Sequence, residues 1–136
     1  MCMIDMLDGG SPTFHQEFVA RREHLCGDCR RRIAPGERYT VAKGPYDGQW
    51  WRAKQCDHCR MATKWLIRQC NGFLYEGVLE DLEEHWNEDW LLRSHGLGRL
   101  ILGMRKQWQP YGKLLPLQWV SDAVASAKRR DERIAA

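Results

Sequence analysis

The sequence lacks an apolar run long enough to cross a bilayer, which takes about 20 residues. Its most apolar stretch covers residues 97–102 and contains an arginine. The first residues, 1–6, carry an early acid and no basic segment, so they do not predict a secretory leader. We therefore expect a cytoplasmic protein with no membrane contact.

Motifs of the common zinc enzymes are also missing. The sequence has no His-Glu-x-x-His, typical of metalloproteases, and no Pro-Cys-x-x-Cys, typical of zinc deaminases. The glycines of residues 96–103 lack the spacing and the preceding strand of a dinucleotide site. We predict a non-enzymatic protein with no small-molecule substrate. A metal-dependent nuclease is the remaining enzymatic alternative, although only His24 and His58 lie near the cysteine pairs.

Basic residues are absent from residues 71–92, which carry seven acidic residues and a charge of −7. Residues 20–70 show the opposite balance, with twelve basic and five acidic residues and a charge of +7. The net charge of +3 over 136 residues conceals this segregation. Charge blocks of this kind indicate separate surfaces rather than one uniformly solvated exterior.

Four of the six cysteines form two Cys-x-x-Cys pairs, Cys26 with Cys29 and Cys56 with Cys59. Two intervening residues let one tight turn present both sulfurs to an ion at about 2.3 Å. The pairs therefore predict one structural Zn²⁺ ion, with a redox pair and an iron–sulfur cluster as alternatives. Cys70 is predicted to be a small buried residue, because a helix after Cys59 would carry it about 16 Å from the ion.

The segment between the cysteine pairs predicts a β-hairpin. Residues 38–43 and 49–55 fit strands around a Gly- and Pro-containing loop, and residues 60–69 have the apolar spacing of a helix. The order of cysteine knuckle, hairpin, cysteine pair and helix is that of a treble-clef zinc finger. The positive end of the helix dipole also suits thiolate ligands.

Three more helices are predicted, over residues 76–94, 97–108 and 117–134, with Gly96 ending the first of them. The fold class is therefore α+β and mostly α, with a four-cysteine, treble-clef-like zinc finger packed on a C-terminal helical part. Residues 13–25 fit either a short helix or an extended segment, and the four-residue spacing of its phenylalanines favours the helix.

We divide the chain into a flexible N-terminal segment (1–19), the zinc finger (20–70) and the helical part (71–136), with the last two forming one compact unit. Neither piece has enough apolar surface to be comfortably stable alone. Five apolar residues are predicted to join them: Trp65, Leu66, Leu79, Leu82 and Trp86.

The finger resembles a group of small zinc-finger proteins from phages and bacterial genomes. The resemblance covers residues 20–90 and rests on residues 20–26, Cys29, Ile33, 35–39, Asp47, Gly48, Cys56, Cys59 and 77–85. It implies metal binding and a phage or prophage setting, and it leaves the biochemical role open.

The acidic block favours a protein-binding role. Such a helix could dock on the basic surface of a host or phage protein and modulate or inhibit it. The candidate contacts are Glu80, Glu83, Glu84 and Glu88.

The basic finger favours an alternative role in binding DNA or RNA. Its cations could neutralise phosphates, and exposed aromatic side chains could stack on bases. Arginines beside four thiolates could equally serve to balance the charge of the metal site. The candidate phosphate contacts are Arg30, Arg31, Arg32 and Lys54.

Overall fold

A computed structural model describes residues 14–70 and 72–127, apart from the side chain of Tyr46. The described chain is α+β, with small antiparallel sheets and four α-helices. The predicted fraying of residues 1–12 and the polar run 128–133 fall outside the described residues. The elements in chain order are β1 (Phe14–Val19), β2 (His24–Leu25), β3 (Arg32–Ile33), β4 (Arg38–Tyr46), β5 (Gln49–Cys56), α1 (Asp57–Cys70), α2 (Val78–Glu88), a 3-10 turn (Trp90–Leu92), α3 (His95–Arg105) and α4 (Leu117–Ser126).

The predicted hairpin is confirmed as β4 and β5, which pair in antiparallel register from Tyr39 opposite Cys56 to Tyr46 opposite Gln49. Asp47 and Gly48 make the turn with φ values of 51° and 77°. Positive φ at both central residues matches the right-handed twist of the strands and favours an Asp-Gly sequence. The hairpin ends at Cys56, so its geometry places one cysteine of the second pair.

The helix favoured for residues 13–25 is wrong, because residues 14–19 form strand β1 along the outer side of β4. Phe14 and Phe18 are four residues apart, which suits one face of a helix and equally one face of a strand. Pairing with β4 decides between the two. The segment assigned to a flexible N-terminus thus contains a strand of the main sheet.

The helix predicted over residues 60–69 is confirmed as α1, which begins earlier, at Asp57. The helix predicted over 76–94 is shorter, because α2 ends at Glu88 and Asp89 accepts a hydrogen bond from Leu91 N–H to start the 3-10 turn. Trp90, which falls within the predicted helix, lies in this 3-10 turn instead and is 72% exposed. Within the described residues the last helix ends at Ser126 and Ala127 is extended, while the rest of its predicted range, to residue 134, lies outside the described residues.

The prediction that Gly96 ends a helix is wrong. Gly96 lies in the first turn of α3, whose N-cap is Ser94. A Cβ atom at Gly96 would stand 2.4 Å from the carbonyl oxygen of Ala123 and 2.4 Å from the amide nitrogen of Ala127. The residue is therefore glycine because α3 and the end of α4 touch backbone to backbone there.

Among the described residues, no helix combines the length and apolarity needed to cross a bilayer.

One hydrophobic core extends from the cysteines to the last helix. Trp65, Leu66 and Leu82 are fully buried in it, and Leu79 and Trp86 pack against it. These are the five residues predicted to join the finger to the helical part. The core also takes in the four paired cysteines and Val120 of α4.

Candidate metal centre

The four cysteines of the two pairs meet in one buried cluster. The Sγ atoms of Cys26, Cys29, Cys56 and Cys59 all lie within 4.8 Å of one another, and each residue is at least 95% buried. Cys26 and Cys29 come from the turn between β2 and β3, Cys56 from the end of β5, and Cys59 from the first turn of α1. The cluster could hold a metal ion.

The spacing of the sulfurs fits a tetrahedral ion. A tetrahedron with sulfurs about 2.3 Å from its centre has edges of about 3.8 Å. The Sγ atoms of Cys29 and Cys56 are 3.8 Å apart. Four thiolates complete a tetrahedral coordination shell, so such a site leaves no open position for a substrate or a water molecule.

Three N–H groups point at the sulfurs. The backbone N–H of Cys56 donates to Sγ of Cys26 at 3.4 Å, and the backbone N–H of Cys59 donates to Sγ of Cys56 at 3.4 Å. The indole N–H of Trp108 donates to Sγ of Cys59 at 3.3 Å. Such donors favour the thiolate form and orient it toward a metal.

Trp108, which lies 49 residues after Cys59 in the chain, packs over the cysteine cluster. Its side chain is fully buried and its ring lies 6.0 Å from that of His58. Its backbone has φ of 61°, a strained conformation for a bulky residue, and is fixed by hydrogen bonds to Gly103 and Leu115. The loop after α3 is therefore folded so that this indole reaches the cysteines.

Arg31 balances the charge of the cluster. It is 4% exposed, and its guanidinium lies 3.1 Å from both carboxylate oxygens of Glu37. Burial alone would lower the pKa of Arg31, but the charges of the Cys56 thiolate and the Glu37 carboxylate raise it. The guanidinium is therefore a fixed cation within the fold.

Asp28 joins the cysteine knuckle to two other elements. Its carboxylate accepts hydrogen bonds from the Gln55 amide of β5 at 2.8 Å and from the Val78 N–H at the start of α2 at 3.4 Å. Gly77, the N-cap of α2, offers no side-chain cap, so Asp28 supplies one from the knuckle. Burial, followed by the negative charge of Cys26, raises the pKa of Asp28 to about 6.

The thiols of the cluster share their protons unequally. Hydrogen bonds from the three neighbouring thiols lower the pKa of Cys26, whereas burial raises the pKa of Cys59. Hydrogen bonds among the clustered thiols therefore favour a thiolate, which is the metal-binding form of cysteine.

Comparisons with protein-family models, with curated proteins and with solved structures found no match. The resemblance to phage zinc-finger proteins therefore stays a prediction.

The four predicted phosphate contacts lie in different environments in the structure. Arg31 is buried against Glu37, as described above, and Arg32 is exposed with its guanidinium 3.2 Å from Glu23. Arg30 is exposed at the end of the knuckle. Lys54 lies on β5, where its Nζ is 3.1 Å from Nδ1 of His24. Arg31 thus fits the charge-balancing role that the sequence left open, and it is not available to a phosphate.

The four predicted protein contacts all lie on α2 but differ in environment. Glu83 makes an ion pair with Arg105 of α3. Glu80 and Glu88 are exposed, and Glu84 is half-buried. Part of the acidic block is therefore used inside the molecule. Its Asp81 is also buried, 3.4 Å from Nε2 of His85.

Sequence reasoning missed Trp108 and Asp28. Trp108 follows Cys59 by 49 residues, and it was assigned to the apolar face of a helix. Asp28 lies between two cysteines, where it had no local pattern to mark it. An acid inside a Cys-x-x-Cys turn is the one sequence signal that could have suggested a side chain that caps a helix elsewhere in the chain.

Proposed function

We propose that this chain is a non-enzymatic binding protein whose fold is held by one Zn²⁺ ion on Cys26, Cys29, Cys56 and Cys59. The arrangement of knuckle, hairpin and helix around these residues is treble-clef-like. The observation that carries the proposal is the closed shell of four buried sulfurs. Tetrahedral four-sulfur sites of this kind are typical of zinc with a structural role.

The surroundings of the cluster support a structural rather than a catalytic ion. The histidines nearest to it are engaged elsewhere: Nε2 of His58 lies against the carbonyl oxygen of Leu115, and His24 bonds Lys54. His15, which begins a His-x-Glu sequence in β1, bonds the hydroxyl of Tyr75. In the described part of the chain, no second group of three or more metal-binding side chains accompanies the cysteines.

Metal analysis of the purified chain tests this proposal. We expect one zinc per chain, because the cluster has four sulfurs and a single tetrahedral position. Zinc should leave on acidification, since protons compete for the thiolates. Purified protein that contains iron, or contains no metal while folded, would contradict the proposal.

The acidic stripe of α2, formed by the exposed Glu80 and Glu88 and the half-buried Glu84, is the surface we propose for a protein partner. Glu80, Glu84 and Glu88 follow one another at four-residue intervals along one side of the helix. In the residues the structure describes, no cation pairs with Glu80 or Glu84. Like charges at this spacing destabilise a helix, and a basic partner surface would relieve the repulsion.

Charge reversal tests the acidic stripe. We expect the double change Glu80→Lys with Glu84→Lys to abolish binding of proteins that the wild type captures from nuclease-treated bacterial lysate. Asp122→Lys, which reverses an exposed acid on α4, is the matched control and should leave capture unchanged. Capture of the same proteins by the double variant would refute this surface.

A further inference from the structure

One face of the three-stranded sheet carries exposed aromatic and basic side chains around a buried centre formed by Tyr39 and Val41. The antiparallel register places the side chains of paired residues on the same face of a sheet. One row across the sheet is Phe14, Lys43 and Arg52, and the next is Gln16, Val41 and Lys54. We call this surface the aromatic sheet face; its members are Phe14, Gln16, Phe18, Tyr39, Val41, Lys43, Pro45, Trp50, Arg52 and Lys54.

Aromatic rings lie at both ends of the aromatic sheet face. Phe14 and Trp50 stack with centroids 6.1 Å apart, and they are 51% and 66% exposed. Phe18, which is 38% exposed, packs 5.9 Å from Tyr39. Phe14 and Phe18 are separated by about 13 Å along the strand. Tyr39 is buried beneath Phe18, so the face offers the Phe14–Trp50 pair and the Phe18 ring as the surfaces on which a planar group could stack.

Cations lie between and beside the exposed rings. Lys43 and Arg52 are exposed in the row that contains Phe14, and Lys54 is half-buried in the next row. Lys43, Arg52 and Lys54 therefore create a positive potential on this part of the sheet.

No carboxylate belongs to the described residues of the aromatic sheet face. The acid of β1, Glu17, projects to the other face, where it lies 4.0 Å from Arg38. On that other face Thr40, Ala42 and Ala53 are buried, and on the aromatic sheet face Tyr39 and Val41 belong to the core. The exposed part of the aromatic sheet face is therefore aromatic and basic around Phe14, Trp50, Lys43 and Arg52.

We infer that the aromatic sheet face binds single-stranded nucleic acid, with bases stacked on the Phe14–Trp50 pair and on Phe18, and phosphates on Lys43, Arg52 and Lys54. Exposed rings that alternate with cations are the features that single-strand-binding sheets use, because every base has a π-face and every nucleotide a phosphate. A duplex hides its bases and cannot use the rings. This inference concerns a different surface and a different partner from the proposed function.

Fluorescence anisotropy with labelled oligothymidylate and oligouridylate, about 12 nucleotides long, tests the inference on the zinc-loaded protein. We expect both to bind more tightly than a duplex of equal length. Three phosphate contacts predict that log K falls with log salt at a slope of about −2. The relative affinities of the two oligomers show whether the sugar is also recognised.

Matched variants separate stacking from charge. Trp50→Ala should weaken binding about tenfold or more, and Trp50→Phe should restore most of it. Trp90→Ala, which removes another exposed tryptophan far along the chain, should change nothing. Arg52→Ala should reduce the salt slope by about 0.7, whereas Arg99→Ala on the exposed side of α3 should leave it unchanged.

Three results would overturn the inference: no binding of either oligomer at low salt, equal affinity for the duplex, or unchanged affinity of Trp50→Ala. A dimer in solution that Trp50→Ala dissociates would assign the face to a second copy of this chain instead. The Glu80→Lys, Glu84→Lys variant should retain oligomer binding, so failure of the acidic-stripe proposal and failure of this one are distinguishable.

Discussion

Replacing Cys59 with serine is expected to unfold the described part of the chain, including the helices that contribute no ligand. Zinc binding in such sites supplies about 10–16 kcal/mol of apparent free energy, comparable with the entire stability of a domain. Cys59 is buried in the core that also contains Trp65 and Val120. The helical circular-dichroism signal at 222 nm should therefore be largely lost, because α1 to α4 unfold together.

Chelation of zinc from the wild type should give the same spectrum, and the chelator should have no further effect on Cys59→Ser. Trp90→Ala serves as the control for handling, because that side chain is largely exposed and outside the core. A variant without zinc that keeps a cooperative melt of its helices would contradict a core shared between finger and helical part.

Gly96→Ala is expected to destabilise the protein although alanine is the better helix former. The added Cβ would overlap the backbone of Ala123 and Ala127 at 2.4 Å, and backbone cannot turn aside as a side chain can. Overpacking of this kind costs about 1–3 kcal/mol, more than the gain of about 1 kcal/mol in helix propensity. The net loss of about 1–2 kcal/mol should lower the midpoint of thermal melts by about 4–8 °C.

Gly98→Ala is the matched control on the same helix. Its Cβ would meet only the ring of Trp86, at 3.4 Å, which is close to ordinary van der Waals contact. The propensity gain should then prevail and raise the free energy of unfolding by about 0.5–1 kcal/mol. Equal melting temperatures for the two variants would mean that α3 and α4 do not touch as described.

The sequence was informative where local chemistry determines the structure. Paired cysteines, a Gly- and Pro-containing loop and apolar helix spacing each act over a few residues, so the hairpin, α1 and the cysteine cluster could be predicted. The predicted loop of 44–48 is in fact a tight turn at Asp47 and Gly48, because β4 continues to Tyr46. The spacing of Phe14 and Phe18 was ambiguous, because four residues is a multiple of the strand period and also about one helical turn. Only the pairing of β1 with β4 resolves it.

Tertiary contacts account for most of what the sequence did not reveal. Gly96 looks like a helix terminator until α4 is seen against it, and Arg31 looks like a phosphate contact until Glu37 is seen beside it. The aromatic sheet face likewise depends on β1, whose rings reach Trp50 and Tyr39 only through strand pairing. Residues brought together by such pairing carry no mark in the linear sequence.

The indole that donates to Cys59 comes from much later in the chain than the cysteines. The four cysteines of the cluster all precede residue 60, whereas Trp108 follows Cys59 by 49 residues. Since domains fold as the chain emerges from its N-terminus, the finger could bind an ion before the loop after α3 is made. In the folded chain the four cysteines are at least 95% buried, so an ion bound by them would be exchanged only when part of the fold opens.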